Sequence, residues 1–489
     1  MGYGGAQEQD KHKVKGFKDN ETICAVSTPP GFGGIAVIRI SGPQSFEISR
    51  KIVHFLPEEP ETHKIYFGTL NSFIEKTAID EVLVSTFHQG KSYSGEETVE
   101  ISCHGSPAIT QWILQELVSA GARIADRGEF SYRAFINGKI DLVQAEGVLE
   151  LVESQSKRAI QQGLRQLKGG LSLKLKNIQS DLLYVLANIE AAIDFSTEDI
   201  EVLNKETLFA RTKRAEETLG ILLSTYEHGR LLIEGLQVVL FGAPNVGKSS
   251  LFNLLLEEAR SIVTEIPGTT RDVVESILLL DGVRVAFFDT AGIRESGDSV
   301  EKIGVQKSRE SQSKADVIFF LFDGSRLFSS ADVEILRGLD LKKVLILGNK
   351  IDLFLESEDQ RRNKLKAVLK KSDLFLNQNE LDLFVQKKVL FISTKENKSR
   401  EIVLNSLREH LTNNQLEDEA VISQARHFEN LSRAADFIKQ GNEAISHGAD
   451  AEFVALDFKA ALICIQETLG ERFDDQIMDF VFKQFCIGK

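Results

Sequence analysis

The run Gly242-Ala-Pro-Asn-Val-Gly-Lys-Ser249 fits the pattern GxxxxGK[ST], a spacing suited to holding phosphate. Gly242 and Gly247 free the backbone to curl, so that N–H groups around Asn245 and Val246 face phosphate oxygens. Lys248 can reach β- and γ-phosphates, and the Ser249 hydroxyl can take a Mg²⁺ ion. The pattern carries this meaning where a strand leads in and a helix leads out. The apolar run LQVVLF precedes it, and SSLFNLLLEE, opening with Ser249 and Ser250, follows. A helix N-terminus there adds partial positive charge.

Further motifs end apolar runs downstream. Asp289-Thr290-Ala291-Gly292 closes VRVAFF. Its Asp can hold Mg²⁺ through water, and the Gly292 amide can sense a γ-phosphate. Asn349-Lys350-Ile-Asp352 closes VLILG. A buried Asp352 carboxylate would accept from guanine N1–H and the exocyclic amine. Adenine has no such donor pair and would leave the acid unpaired. Lys350 can lay its stem over the base, and Ser393-Thr394-Lys395 stands where a last loop closes on guanine. Between them, Thr264-Glu265-Ile266-Pro267-Gly268-Thr269-Thr270-Arg-Asp272 offers Thr270 as a second Mg²⁺ ligand. Together these imply a GTP-hydrolysing site. Many GTPases orient water with a Gln after DxxG, but Ile293 stands there, so the hydrolytic group comes from elsewhere.

The elements needed to position these residues can be read around them. Strand and helix patterns alternate from LQVVLFG to KVLILGNKID, as in a doubly wound parallel sheet. Apolar residues recur at helical spacing on both sides, in LLYVLANIEAAIDF and again from Val421 to Ala435. Neither flank makes a bundle alone, which predicts one helical domain built from both with the α/β domain inserted. Ahead of them, strands such as EVLVSTFH and ETVEISCHG with a helix over AITQWILQELVSAG predict a compact α+β domain. The expected organisation is a tail at 1–20, an N-terminal domain at 21–138, helical parts at 139–233 and 411–489, and a G domain at 234–410. The polar segment 354–388 is expected to hold a helix and a loop.

Net charge is −14 over 489 residues, so nucleic acid could be met only through a local basic patch or a basic partner. Cys24, Cys103, Cys464 and Cys486 are far apart and form no CxxC, which argues against zinc or a disulfide framework and fits a reducing cytoplasm. The polar first residues lack the apolar core of a signal peptide, and runs such as VIFFLF are too short to span a bilayer.

The GTTRD loop resembles the TrmE–Era–EngA branch of translation-associated GTPases. Blocks outside the G domain sharpen this: TPPGFGGIAVIRISG, YSGEETVEISCHGSP, RGEFSYRAFINGKIDLVQAEGVLELV and the terminal FCIGK. In this order over residues 22–489 they resemble the MnmE (TrmE) family of tRNA-modification GTPases. A ribosome-assembly switch of the Era or EngA kind is the alternative, but no GXXG clamp or basic stripe follows the G domain.

The resemblance implies a concrete chemistry: an aminomethyl-type (carboxymethylaminomethyl) group added at C5 of the wobble uridine, position 34, of certain tRNAs. It implies a homodimer, the flavoprotein MnmG (GidA) in a heterotetramer-type complex, and a 5-formyl- or methylene-tetrahydrofolate donor. Asn245, Thr264, Ile266 (through its carbonyl) and Thr269 match the family's K⁺ shell. Glu301 matches its water-activating acid, with Glu295 and Asp298 as neighbours. Arg39, Glu100, Lys139 and Lys489 match its folate contacts. On residue type alone, Arg39 and Lys139 read as surface charge, and Glu100 as the solvent side of a strand. Cys486 beside a folate and a flavoprotein could be a nucleophile or redox group, or a small buried residue holding the tail. Cys103 and His104 read as packing or pocket lining.

Overall fold

The computed structural model describes residues 20–194, 205–256, 276–289, 315–326, 328–353, 356–375, 377–411, 421–473 and 475–489. They form two compact units. One comprises Met1–Glu153, Gly163–Leu223 and Arg426–Lys489; the other comprises Ser154–Gln162 and Ser224–Ala425.

In the first unit, alternating residues build a sheet with one buried face. The strands are β1 (Ile23–Val26), β2 (Gly33–Ser41), β3 (Lys64–Asn71), β4 (Ala78–Phe87), β5 (Thr98–Gly105) and β6 (Arg123–Ile124), in spatial order β3-β4-β5-β2-β1-β6. Ile38 and Ile40 of β2 and Val99, Ile101 and Cys103 of β5 point into the core. Val37 and Arg39, and Glu100, Ser102 and His104, therefore take the other face, because successive side chains alternate. The helix Pro107–Ala120 covers the inner face with Ile113, Leu117 and Ala120. Its first residue is Pro, whose missing N–H costs nothing at that position. Each fully buried Ile or Leu contributes about 2 kcal/mol of hydrophobic stabilisation.

The same unit contains helical segments from both ends of the chain. Gly170–Asp194 and Ala451–Leu469 pack against each other and run antiparallel: Lys459 Nζ meets Glu190 Oε1 at 2.8 Å, while Gln179 pairs with Glu471 near their other ends. The flanks thus share one body, as their periodicity predicted. A buried charged cluster fastens it further. Glu146 accepts from Arg426 Nε at 3.0 Å and Nη2 at 2.9 Å, and lies 2.5 Å from His427 Nε2. The last helix, Asp475–Phe482, buries Met478, Val481 and Phe482 with Tyr132 and Leu142. The chain then ends against β1: Ser27 Oγ donates to Gly488 O at 3.0 Å.

The second unit is the expected doubly wound sheet. Its strands are β7 (Leu236–Gly242), β8 (Ser276–Leu280), β9 (Val283–Asp289), β10 (Val317–Asp323), β11 (Val344–Asn349) and β12 (Val389–Phe391), in order β12-β11-β10-β7-β9-β8. Only β8 pairs antiparallel. Val317–Phe322 and Val344–Leu347 are continuously apolar because both faces are covered. Lys248–Leu256 and Asn397–Leu411 pack on one face; Ser330–Arg337, Glu358–Leu369 and Gln378–Lys388 pack on the other. Segment 354–388 thus holds the expected helix and loop and, beyond them, a second helix. Its polar composition hid start signals: Ser357 and Gln360 form a capping box, and Asn377 caps the second helix through Glu380 N. Tyr226–Glu234 and Val421–Ala425 also belong to this unit.

Candidate functional site

The phosphate loop leaves β7 and enters the helix Lys248–Leu256. Gly242 has φ 150° and Gly247 has φ 102°, both in the region that favours glycine. Space is as restrictive as angle. A Cβ on Gly242 would lie 2.3 Å from Leu321 O, and one on Gly247 would lie 2.2 Å from Asn349 Nδ2. Asn245 holds φ 63°, a conformation Asn tolerates better than most residues. Lys248 Nζ lies 3.1 Å from both Gly242 O and Ala243 O, over the hollow of the loop. Val246 is buried beneath it, while Ser249 and Ser250 are exposed at the helix start.

Asn349 ties this loop to the base-side loops. It is fully buried, and its Nδ2 donates to Val246 O at 2.9 Å while its Oδ1 accepts from Thr394 N at 3.1 Å. Asp352 accepts from Ser393 Oγ at 2.8 Å and pairs with Lys395 Nζ at 3.1 Å. The Ser393 hydrogen bond, aided by Lys395, holds its carboxyl below the usual range, so it is an acceptor at neutral pH. The Asp352 side chain is partly exposed, not fully buried as the guanine reading assumed. Discrimination therefore requires the base itself to cover the carboxylate. Asp289 ends β9 opposite Leu240 of β7, next to the phosphate loop. Thr264, Glu265, Ile266, Pro267, Gly268, Thr269, Thr270, Thr290, Ala291, Gly292 and Glu301 lie outside the described residues.

A second cluster forms on the outer face of the N-terminal sheet. Arg39 and Glu100 are directly opposed between β2 and β5, with Arg39 Nε and Nη2 each 2.8 Å from Glu100 Oε1. The guanidinium also lies 5.6 Å from the ring centres of Tyr93 and Phe130. Burial, followed by the nearby Arg39 charge, pushes the Lys489 ammonium below its ordinary value. The Arg39–Glu100 pair and a second cation, Lys489, thus share this corner of the sheet. Lys139 Nζ donates to Gly90 O at 2.9 Å, at the base of the loop that carries Tyr93. Arg39 and Glu100 are half-buried partners rather than solvated charge, whereas Lys139 is exposed. Cys486 is exposed, which removes the reading of a small buried residue holding the tail.

Comparison with known proteins locates both clusters in one family. The family model described as the MnmE helical domain matches residues 142–486, and that of the GTP-binding protein TrmE N-terminus matches residues 22–139. A tRNA modification GTPase MnmE of Bdellovibrio bacteriovorus is 51% identical over 477 residues, covering 97% of this chain and 99% of its own. The chain belongs to the MnmE family of tRNA modification GTPases. A second MnmE, from Natranaerobius thermophilus, is 40% identical over 482 residues, covering 96% of this chain and 99% of its own. A GTP-binding protein of Sulfolobus solfataricus solved with GDP aligns with 59% of this chain and 79% of its own, at 15% identity and a TM-score of 0.27, too low to add to the family match.

Within this MnmE-family chain, the fold brings Asn245, Lys248, Asn349, Asp352, Ser393, Thr394 and Lys395 to the strand ends of one sheet, and Arg39, Glu100 and Lys489 to another. Three participants escaped the sequence reading. Tyr93 and Phe130 lie within the quoted YSGEE and RGEF blocks but have no charge to signal a role. Asp323 ends β10 just as Asp289 ends β9, and that position was its only signal. Cys103 is buried in the core, and His104 pairs with Asp80 at 2.7 Å on the surface. Among the described residues, no helix is long and apolar enough to cross a membrane.

Proposed function

We propose that this MnmE-family chain hydrolyses GTP as the K⁺-dependent component of a complex that adds a carboxymethylaminomethyl-type group to C5 of the wobble uridine of certain tRNAs. The supporting observation is the Asn349 side chain, which joins the phosphate loop to the base-side loop through one buried amide. Phosphate loop and guanine acceptor are thereby held as one receptor.

Lys248 is poised over the loop to meet β- and γ-phosphate oxygens, and Asp352 accepts from the guanine edge. Mg²⁺ fits the exposed Ser249 hydroxyl at the helix start, with Thr270 as the second protein ligand. K⁺ fits Asn245, which is exposed on the phosphate side of the loop, with Thr264, Ile266 and Thr269; it would supply positive charge where the transition state gains negative charge. Glu301 is the proposed water-orienting acid, in place of the Gln that Ile293 replaces.

The folate donor fits the second cluster. Arg39 and Lys489 can hold a glutamyl carboxylate, Glu100 can accept from a pterin edge, and Lys139 lines the Tyr93 loop. Cys486, exposed in the same tail, is a candidate nucleophile or redox group. The same sheet face carries exposed Ile35, Ile65, Phe67 and Leu83, a patch suited to a second copy of the chain in a homodimer. The flavoprotein MnmG is the proposed further partner, sharing the tRNA that the acidic surface repels.

Nucleoside analysis tests the reading. Bulk tRNA from cells whose only copy carries Lys248→Ala should lack the modified wobble uridine that the wild-type copy restores. Intact modification in those cells, with a ribosome-assembly defect instead, would favour the Era-type switch.

A further inference from the structure

Asp323 ends β10, the strand between β7, which opens the phosphate loop, and β11, which delivers Asn349 and Lys350. One of its carboxylate oxygens, Oδ2, lies 2.8 Å from Lys350 Nζ. The other accepts from Ser325 N at 3.0 Å and Ser325 Oγ at 2.5 Å. The acid is thus fixed by its own turn and aimed at the lysine. The two backbones are also locked together. Gly324 N donates to Asn349 O at 2.6 Å, and a Cβ on Gly324 would lie 2.7 Å from that oxygen. Lys350 itself holds φ 66°, a left-handed conformation costly for a lysine unless its surroundings impose it.

A free lysine side chain carries about 2 kcal/mol of rotamer entropy. Anchoring its tip before a nucleotide arrives removes part of that cost, two residues ahead of the guanine acceptor Asp352. The pair is partly exposed, at 32% for Lys350 and 22% for Asp323, and such pairs add little to folding stability. Its geometry is better explained by ligand positioning.

We infer that Asp323 is a positioning residue for guanine nucleotides, acting through Lys350 to preorganise the surface over which the base stacks. This deepens the GTP reading and rests on it. Both Asp323 carboxylate oxygens are engaged by Ser325 and Lys350, so its effect falls on ground-state affinity through Lys350, not on the chemical step.

The test is steady-state GTP turnover by the full chain in KCl. Asp323→Ala should raise KM about tenfold while kcat stays within about twofold. In a Lys350→Ala background, Asp323→Ala should change KM by less than about twofold, because the group it acts through is gone. Asp323→Asn keeps the shape and the acceptor for Ser325. It serves if the alanine variant fails to fold, with an expected KM rise of about threefold. Additive effects of the two substitutions, a fall in kcat at constant KM, or unchanged KM in both Asp323 variants would overturn the inference alone. Turnover that survives Lys248→Ala would overturn the nucleotide reading, and this inference with it.

Discussion

Gly488 lies so close to β1 that a Cβ on it would stand 2.1 Å from the Val26 carbonyl oxygen. Its φ of 95° is equally hostile to any other residue. The tail is fitted to the N-terminal sheet at its penultimate residue, and Ile487 adds a bridge to Arg127. Gly488→Ala should therefore move Lys489 away from Arg39 without touching the phosphate loop. Titration with 5-formyltetrahydrofolate should show affinity reduced by at least about tenfold, with GTP turnover within about twofold of wild type. Unchanged folate affinity would remove the tail from the ligand site.

The tail shows where sequence reading stops. FCIGK can be recognised as a block, but its docking depends on Phe482, Gly128 and Val26, which are hundreds of residues apart or several turns away. A Cβ on Gly128 would meet Phe482 O at 2.3 Å, a constraint with no local pattern. The G sheet was legible because most of its strands are largely apolar runs and four of them, β7, β9, β11 and β12, lead into motifs. The inserted arrangement was legible because helical periodicity stops and resumes around those runs. Asp323 was not, since a lone acid after an apolar strand takes its meaning from the strand beside it. The Glu146 cluster was invisible for the same reason: its partners are 280 residues apart.

That cluster makes a stability prediction with a definite pH sign. Burial disfavours the Glu146 charge, but Arg426 and then His427 outweigh it, lowering the carboxyl from 4.5 to about 2. A depressed folded-state value means the contribution is complete above 4.5 and drains as pH falls toward about 2. Glu146→Gln leaves the partly buried Arg426 beside a neutral amide and should cost about 2–3 kcal/mol at neutral pH. Urea unfolding followed at several pH values should show the gap between variant and wild type narrowing below 4.5. A gap constant down to pH 2 would mean that charge pairing is not what Glu146 supplies.

At the base-side loop, Asp352 is the proposed acceptor for both guanine donors. Asp352→Asn turns one of those contacts into donor against donor, while its new amide suits the 2-oxo group of xanthine. KM for GTP should rise by about a hundredfold or more, and KM for xanthosine triphosphate should fall correspondingly. Competition between the two nucleotides in one turnover assay reads the switch directly. A variant that kept its preference for GTP would place guanine recognition on another group.

The proposed hydrolytic step turns on Asn245, at the bend of the phosphate loop. Asn245 is exposed at φ 63°, and Ile293 stands where many GTPases carry the water-orienting Gln. If K⁺ supplies positive charge there, turnover in KCl should exceed turnover in NaCl at equal ionic strength by at least about tenfold. Asn245→Ala should bring the KCl rate down to the NaCl rate and leave KM within about threefold, because the cation acts on charge that appears only in the transition state. Equal rates in both salts would remove K⁺ from Asn245 and its proposed partners. Hydrolysis would then depend on Mg²⁺, Lys248 and the water-orienting acid alone.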